Sequence, residues 1–180
     1  ERKGKYSAVG IYNHDWQHNL LDIGTITTDE VAAASDGLMA QDIKILINAN
    51  VVNYDYLIIV GPVFPHEVVG FSGGNKYLFP GISGGNMIDA THWLSALITC
   101  HEIIGTKYTP VRGLLDRAAA FVPVPRLAFS LVVKGHHDLA GVYFGTPEES
   151  QAAAADLSAH WNVIWVEKPY RQVISVMPTL

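Results

Sequence analysis

What this chain has little of narrows the field first. It carries one cysteine in 180 residues, Cys100, which excludes an intramolecular disulfide and any cysteine-built zinc cluster. That usage fits a reducing cytoplasm, the expected location. Charge is scarce too: charged residues make up 16% of the chain against 49% hydrophobic ones, which excludes a disordered role and implies a packed core. The net charge is -5 and no cluster of Lys and Arg occurs, so nucleic acid is not an expected partner. No apolar run is long enough to cross a bilayer and the first residues do not resemble a signal peptide, so a membrane is not expected either. Internal repeats and low-complexity tracts are absent from the sequence. The chain opens on Glu1-Arg2-Lys3 without methionine and closes at Thr179-Leu180 after a strand-like segment, which suggests a fragment of a longer protein.

What is present reads as alternating strands and helices. Residues 6–12 are apolar and β-favouring, and break at Asn13-His14-Asp15, a turn signal. Residues 20–25 read as a second strand. Residues 42–50 either extend a helix from Thr28 or enter a strand, and periodicity does not choose between them. Residues 56–60 read as a buried strand. Met87, Ala90, Thr91, Leu94, Leu97 and Ile98 recur at helical spacing, which predicts an amphipathic helix from Gly85. From Ala119 the texture changes, with Pro123 and Pro125 as punctuation. Residues 129–133 and 139–144 then read as two strands joined around His136-His137-Asp138. Pro147-Glu148-Glu149 opens an alanine-rich helix to about His160, with proline first and acids in the first turn. Residues 163–166 and 173–176 read as closing strands. The expected fold class is α/β, a mixed or mostly parallel sheet with flanking helices. Two parts are expected, residues 1–118 and a smaller α/β region, 119–180.

The densest chemistry lies in Pro65-His66-Glu67-Val68-Val69-Gly70-Phe71-Ser72-Gly73-Gly74-Asn75-Lys76, continuing to Pro80-Gly81-Ile82-Ser83-Gly84. A histidine, a glycine-rich loop and a lysine leave the carboxyl end of one strand, where open α/β sheets place their ligands. Glycines remove the Cβ atoms that keep a backbone away from a bound group. The loop is not a P-loop, because no Ser or Thr follows Lys76, and its glycine spacing is not that of a dinucleotide fingerprint. His66-Glu67 is not the zinc-protease pair, because Gly70 stands where the second histidine belongs. The plainer reading is tight turns and a solvated Lys76.

This segment, the following Phe79-Pro80-Gly81-Ile82-Ser83-Gly84 and Ala90-Thr91-His92 together resemble the lactate racemase family, whose enzymes depend on a nickel-pincer nucleotide. Asn13-His14-Asp15, Thr109-Pro110-Val111-Arg112 and the pattern from Phe129 to Gly145 are similar as well, so the resemblance covers most of the chain. It implies a fragment of a two-domain isomerase that racemises or epimerises a 2-hydroxy acid at C2 by hydride transfer. In that likeness residues 1–118 form the cofactor-binding region. His66 is one of two opposed general acid/bases, Lys76 is tethered to or held against the pyridinium-derived cofactor, and His92 completes the nickel coordination. The glycine loop at Gly73 and Gly74 can offer N–H groups to a cofactor phosphate, and Ser72 either donates to that phosphate or merely satisfies the turn. The implied partners are a small 2-hydroxy acid and the proteins that mature the cofactor.

The chemistry is consistent with these roles. A neutral imidazole suits nickel as a fourth donor, a partly desolvated lysine amine attacks acyl groups, and histidine titrates near the working pH. Two departures stand beside them. The family's second catalytic histidine lies in a Gly-Thr-His-Arg-type segment that this sequence lacks, and His14 does not match it. The glutamine and lysine that hold the substrate carboxylate would fall after Leu180. The 180 residues alone are therefore expected not to racemise lactate. Two other readings remain: a phosphate- or nucleotide-binding module built on Gly73, Gly74 and Lys76, and a zinc hydrolase using His66, Glu67 and His92 with no third ligand in view. Glu67 either orients His66 or faces solvent. Cys100 is expected to be a small buried apolar residue.

Overall fold

The computed structural model describes residues 2–135, 138–168, 170–174 and 176. A short helix α1 (Arg2–Lys5) precedes an antiparallel ribbon of β1 (Leu20–Ile26) and β2 (Ile43–Asn48), in which Leu20 faces Asn48 and Ile26 faces Ile43. Helix α2 (Thr28–Ala34) lies between these strands and starts from a capping box: the Thr27 side chain accepts from the Glu30 N–H, and the Glu30 carboxylate accepts from the Thr27 N–H at 2.9 Å. The ambiguity at residues 42–50 therefore resolves as a strand. Ile43, Ile45 and Ile47 are all buried, the period of two that a half-covered strand requires.

The second sheet has the order β3-β6-β7, built from β3 (Leu57–Pro62), β6 (Arg126–Gly135) and β7 (Asp138–Gly145). Strands β3 and β6 run parallel, and β6 and β7 antiparallel, so the fold is α/β with a mixed sheet. A parallel pair needs a long crossover. Here it holds the glycine motif, with its two-stranded hairpin β4 (Pro65–His66) and β5 (Gly70–Phe71), and the helices α3 (Gly85–Ile98), α4 (Cys100–Ile103) and α5 (Pro110–Ala119). Helix α6 (Pro147–Asn162), capped by Thr146, covers one sheet face, where the Ser130 and Ser150 hydroxyls meet at 3.1 Å. On the opposite face Ile58, Val60, Phe129 and Phe144 are exposed. Strand β3 is thus buried on alternate residues and not throughout.

The larger core joins Ile45, Ile47, Phe79, Met87, Leu94, Leu114 and Leu115, and a smaller one joins Val63, Phe71 and Val132 to Ala154 and Ala155 of α6. Several local expectations fail for identifiable reasons. Residues 6–12 form no strand; Ile11 and Tyr12 project into solvent with no edge to pair with. Residues 163–166 are also unpaired, with Val163 packed against the smaller core and Ile164 exposed. Val173, Ile174 and Val176 are exposed and outside any strand, and Ser175 lies outside the described residues, as do His136 and His137. Leu97 is exposed although it shares the spacing of the α3 core positions, and Cys100 is exposed where burial was expected. Among the described residues no helix is long and apolar enough to cross a membrane.

Helix α5 was not anticipated. Its signal was the Thr109-Pro110 start, with the Thr109 hydroxyl accepting from the Arg112 N–H at 3.1 Å and Pro110 in the first turn. Gly113 sits inside this helix, and a Cβ there would meet only the Ala34 carbonyl oxygen, at 3.9 Å. Gly113→Ala is therefore expected to stabilise the fold by about 0.5–1 kcal/mol in urea unfolding, because helical glycine gives up more backbone entropy than alanine. A loss of stability would show that α5 needs the bare glycine for packing.

Candidate functional site

The carboxyl end of β3 runs into the β4–β5 hairpin, which places His66 opposite Gly70. Gly70 has φ +88, a conformation that favours glycine, and the hairpin turns through Glu67, Val68 and Val69. The Ser72 hydroxyl staples the hairpin mouth: it accepts from the Phe64 N–H at 2.9 Å and donates to the Pro62 carbonyl at 3.2 Å. A short 3-10 turn, Gly74–Tyr77, then presents Lys76. The chain returns along β2, where the Asn48 N–H donates to Ile82 and the Gly84 N–H to Leu46. The motif therefore ties the two sheets together before α3 begins and carries His92.

His66 is partly buried. Burial pushes its proton affinity below the ordinary value of 6.5, the positive charge of Lys76 pushes the same way, Glu67 opposes, and His92 and Arg112 add smaller downward effects. The charges of Lys76, Glu67, His92 and Arg112 thus all act on His66. The His66 Nδ1 accepts from the Val68 N–H at 3.1 Å, so the neutral ring carries its hydrogen on Nε2. Glu67 Oε2 stands 3.6 Å from the same Nδ1. Turning Nδ1–H toward that carboxylate would give the other tautomer, with the lone pair on Nε2. Glu67 is thus placed to orient His66 although most of its side chain is exposed.

An NMR titration of the folded chain is expected to give a His66 midpoint below 6.5, and Glu67→Gln should lower it further by removing the charge that holds it up. Because the folded value lies below the unfolded one, protonation opposes folding. This contribution to stability is present above the unfolded value and is lost as pH falls through the folded value. A midpoint that rises in Glu67→Gln would contradict the geometry.

Lys76 is half-buried, and among the described residues its amine has no hydrogen-bond or ion-pair partner. Burial lowers its proton affinity most, the nearby Arg112 guanidinium lowers it further, and Glu67 opposes. His92 is exposed on α3. Its Nδ1 donates to the Ile88 carbonyl at 2.7 Å, which leaves the lone pair on Nε2, the state a metal-ligating imidazole needs. His14, by contrast, is structural: Nε2 donates to the Ser83 carbonyl at 3.1 Å and Nδ1 accepts from Asn48 at 2.9 Å.

The glycines serve the fold more directly than the sequence suggests. Gly73 and Gly74 have φ +85 and +58; a Cβ at Gly73 would lie 2.5 Å from Val63 Cγ2, and one at Gly74 would lie 2.9 Å from the Pro147 carbonyl. The space they spare is occupied by protein. Behind them stand residues that sequence reasoning gave no role. Arg112 is only 5% exposed and donates to the carbonyls of Phe71 and Gly73; Asn75 donates to Asp116 at 2.9 Å and to Glu148 at 2.7 Å. Burial raises the Asp116 carboxyl above its ordinary range.

The family model of the lactate racemase N-terminal domain matches residues 11–103, a span that holds His66, Lys76 and His92. The chain belongs to the lactate racemase family. A Thermotoga maritima protein of known crystal structure superimposes with a TM-score of 0.77 at 25% identity, over 89% of this chain and 41% of its own. The lactate racemase apoprotein from Thermoanaerobacterium thermosaccharolyticum does so with a TM-score of 0.66 at 23% identity, over 82% of this chain and 33% of its own, a likeness of fold. This family member therefore spans less than half the length of either relative. No curated protein matches it.

Proposed function

We propose that this chain is the cofactor-bearing part of a nickel-pincer-nucleotide-dependent racemase or epimerase of 2-hydroxy acids, with His66, Lys76 and His92 as its working side chains. What supports the reading is the family match over the span that holds all three groups, together with the charges of Lys76 and, more weakly, His92 acting on His66. The Lys76 amine is half-buried, without a partner among the described residues and biased toward its neutral, nucleophilic form. The His92 imidazole keeps its Nε2 lone pair for a metal because Nδ1 is engaged by Ile88. Among the described residues no three His, Cys, Asp or Glu side chains stand together to hold a metal ion, which suits a ligand that brings its own donors and disfavours the zinc-hydrolase reading.

The bound nucleotide would supply a hydride acceptor for substrate C2. The chain's own residues do the rest of what is proposed here. His92 provides one imidazole donor, and Lys76 holds the cofactor in place through its amine. His66 moves the substrate hydroxyl proton at Nε2: with Nδ1–H turned to Glu67 the neutral ring accepts the proton there, and the resulting imidazolium returns it from the same atom.

Incubating the purified protein with mature cofactor tests this reading. The expected result is nickel that survives desalting, or added mass on the peptide containing Lys76, with nickel lost in His92→Ala. Binding of phosphate or a nucleotide at the loop with no nickel retained would favour the module reading instead.

A further inference from the structure

The glycine loop is held from behind, through its carbonyl groups. Thr109 Oγ1 donates to the Val69 carbonyl at 3.2 Å, the Gly105 N–H to Gly70 at 3.0 Å, and Gln151 to Ser72 at 3.3 Å. Arg112 supplies the other two bonds, one to Phe71 and one to Gly73 at 3.1 Å. Five consecutive carbonyls are thus occupied, three of them by the first turn of α5. A guanidinium 95% removed from solvent (5% exposed) is an expensive way to fill a core, and an apolar residue of similar volume is often the more stable choice. Arg112 hydrogen-bonds no carboxylate among the described residues, although the charges of Asp116 and Glu148 act on it; its two terminal nitrogens donate to main chain and Nε has no partner there. A planar fork serves two acceptors at once, which an ammonium does not. Two residues beyond Gly73, Asn75 is fixed by Asp116, one helical turn after Arg112, and by Glu148 of α6. Lys76 follows directly.

We propose that Arg112 is a positioning residue for Lys76: its fork, seated by Thr109, holds the Phe71 and Gly73 carbonyls and so sets the turn from which the Lys76 amine reaches the site. This rests on the reading of Lys76 given above. Arg112 touches neither substrate nor cofactor in it.

The test uses the purified chain without cofactor and three variants: Arg112→Lys, which keeps the charge and loses the fork; Arg112→Met, which loses both; and Leu115→Ala, which weakens the same helix without touching the loop. Amide hydrogen exchange of residues 70–76 is followed by mass spectrometry, together with the pH midpoint of Lys76 acetylation by trace acetic anhydride. Both Arg112 variants are expected to exchange residues 70–76 about 10- to 100-fold faster, with α3 protected as in the parent, since Arg112→Met loses both charge-assisted bonds and Arg112→Lys keeps at most one. Leu115→Ala should raise exchange without singling out the loop. The Lys76 midpoint should rise in both variants as the loosened turn gives up the burial that depresses it, and rise further in Arg112→Met, which also removes a positive charge, with Glu67, the other charge acting on the amine, constant throughout. Parent-like protection of residues 70–76 in folded Arg112→Lys, or a loss no more local than that of Leu115→Ala, would overturn the proposal. If Arg112→Met does not fold, Arg112→Lys decides alone. A parent Lys76 that labels like a surface lysine sinks the catalytic reading and leaves the clamp standing, so the two failures are distinguishable.

Discussion

Lys76→Ala is expected to abolish cofactor retention, whereas His66→Ala should keep the cofactor and lower turnover by about 10²- to 10⁴-fold, the usual scale for removing a general acid/base. The two residues sit in the same electrostatic neighbourhood, so a non-specific collapse of the site would affect both readouts in both variants. The separation follows from what each side chain offers. Among the described residues the Lys76 amine has no hydrogen-bond partner, burial lowers its proton affinity, and removing it takes away the group proposed to hold the nucleotide. Among the described residues His66 is hydrogen-bonded by the hairpin's own Val68 N–H and stands near the Glu67 carboxylate, so its loss leaves the loop bonds intact. The measurements are bound nickel per chain and the rate of C2 inversion of a 2-hydroxy acid, both made in a protein of its relatives' length that carries this chain. Turnover near the parent rate in either variant would refute the assignment.

Gly70→Ala is expected to destabilise the fold by more than about 3 kcal/mol, or to prevent folding, the range in which backbone strain and overpacking add. The position has φ +88, and an added Cβ would stand 1.9 Å from the Thr106 carbonyl oxygen. That oxygen belongs to the main chain just beyond α4, where the Gly105 N–H bonds back to the Gly70 carbonyl. No rotamer change relieves such a contact, because the atom met is backbone. Gly73 differs: its Cβ would meet a Val63 methyl at 2.5 Å, a side-chain atom rather than main chain, so Gly73→Ala should cost less than Gly70→Ala. Urea unfolding of the two variants checks the order, and equal midpoints would show that the Thr106 segment yields. Because the hairpin that carries His66 turns on Gly70, lost stability here is also lost geometry at the site.

Much of the site was legible along the chain. The apolar run before Pro65 and the break into glycines located the loop at a strand end, and the recurrence from Met87 to Leu94 placed His92 on a helix. Strand β2 was only half legible, since residues 42–50 suit either state until the capping box at Thr27 and Glu30 and the end of α2 at Ala34 are seen. The closing strands fail among the described residues because β-favouring residues at 163–166 and at 173, 174 and 176 meet no sheet edge there, and a strand is made by its partner. The burial of Arg112 was illegible for a related reason. An arginine in sequence reads as a surface charge, and only the arrival of α5 behind the loop shows it enclosed.

The order of residues along the chain determined where His66, Lys76 and His92 stand on their own elements, because strand ends, glycine turns and helical spacing are short-range properties of the backbone. Tertiary structure alone decided which sheet face stays uncovered, which atoms lie where each glycine lacks a Cβ, and which groups satisfy the loop carbonyls. Those partners come from about 35 to 80 residues away, and a hydrogen bond has no signature in sequence until both of its ends share a place.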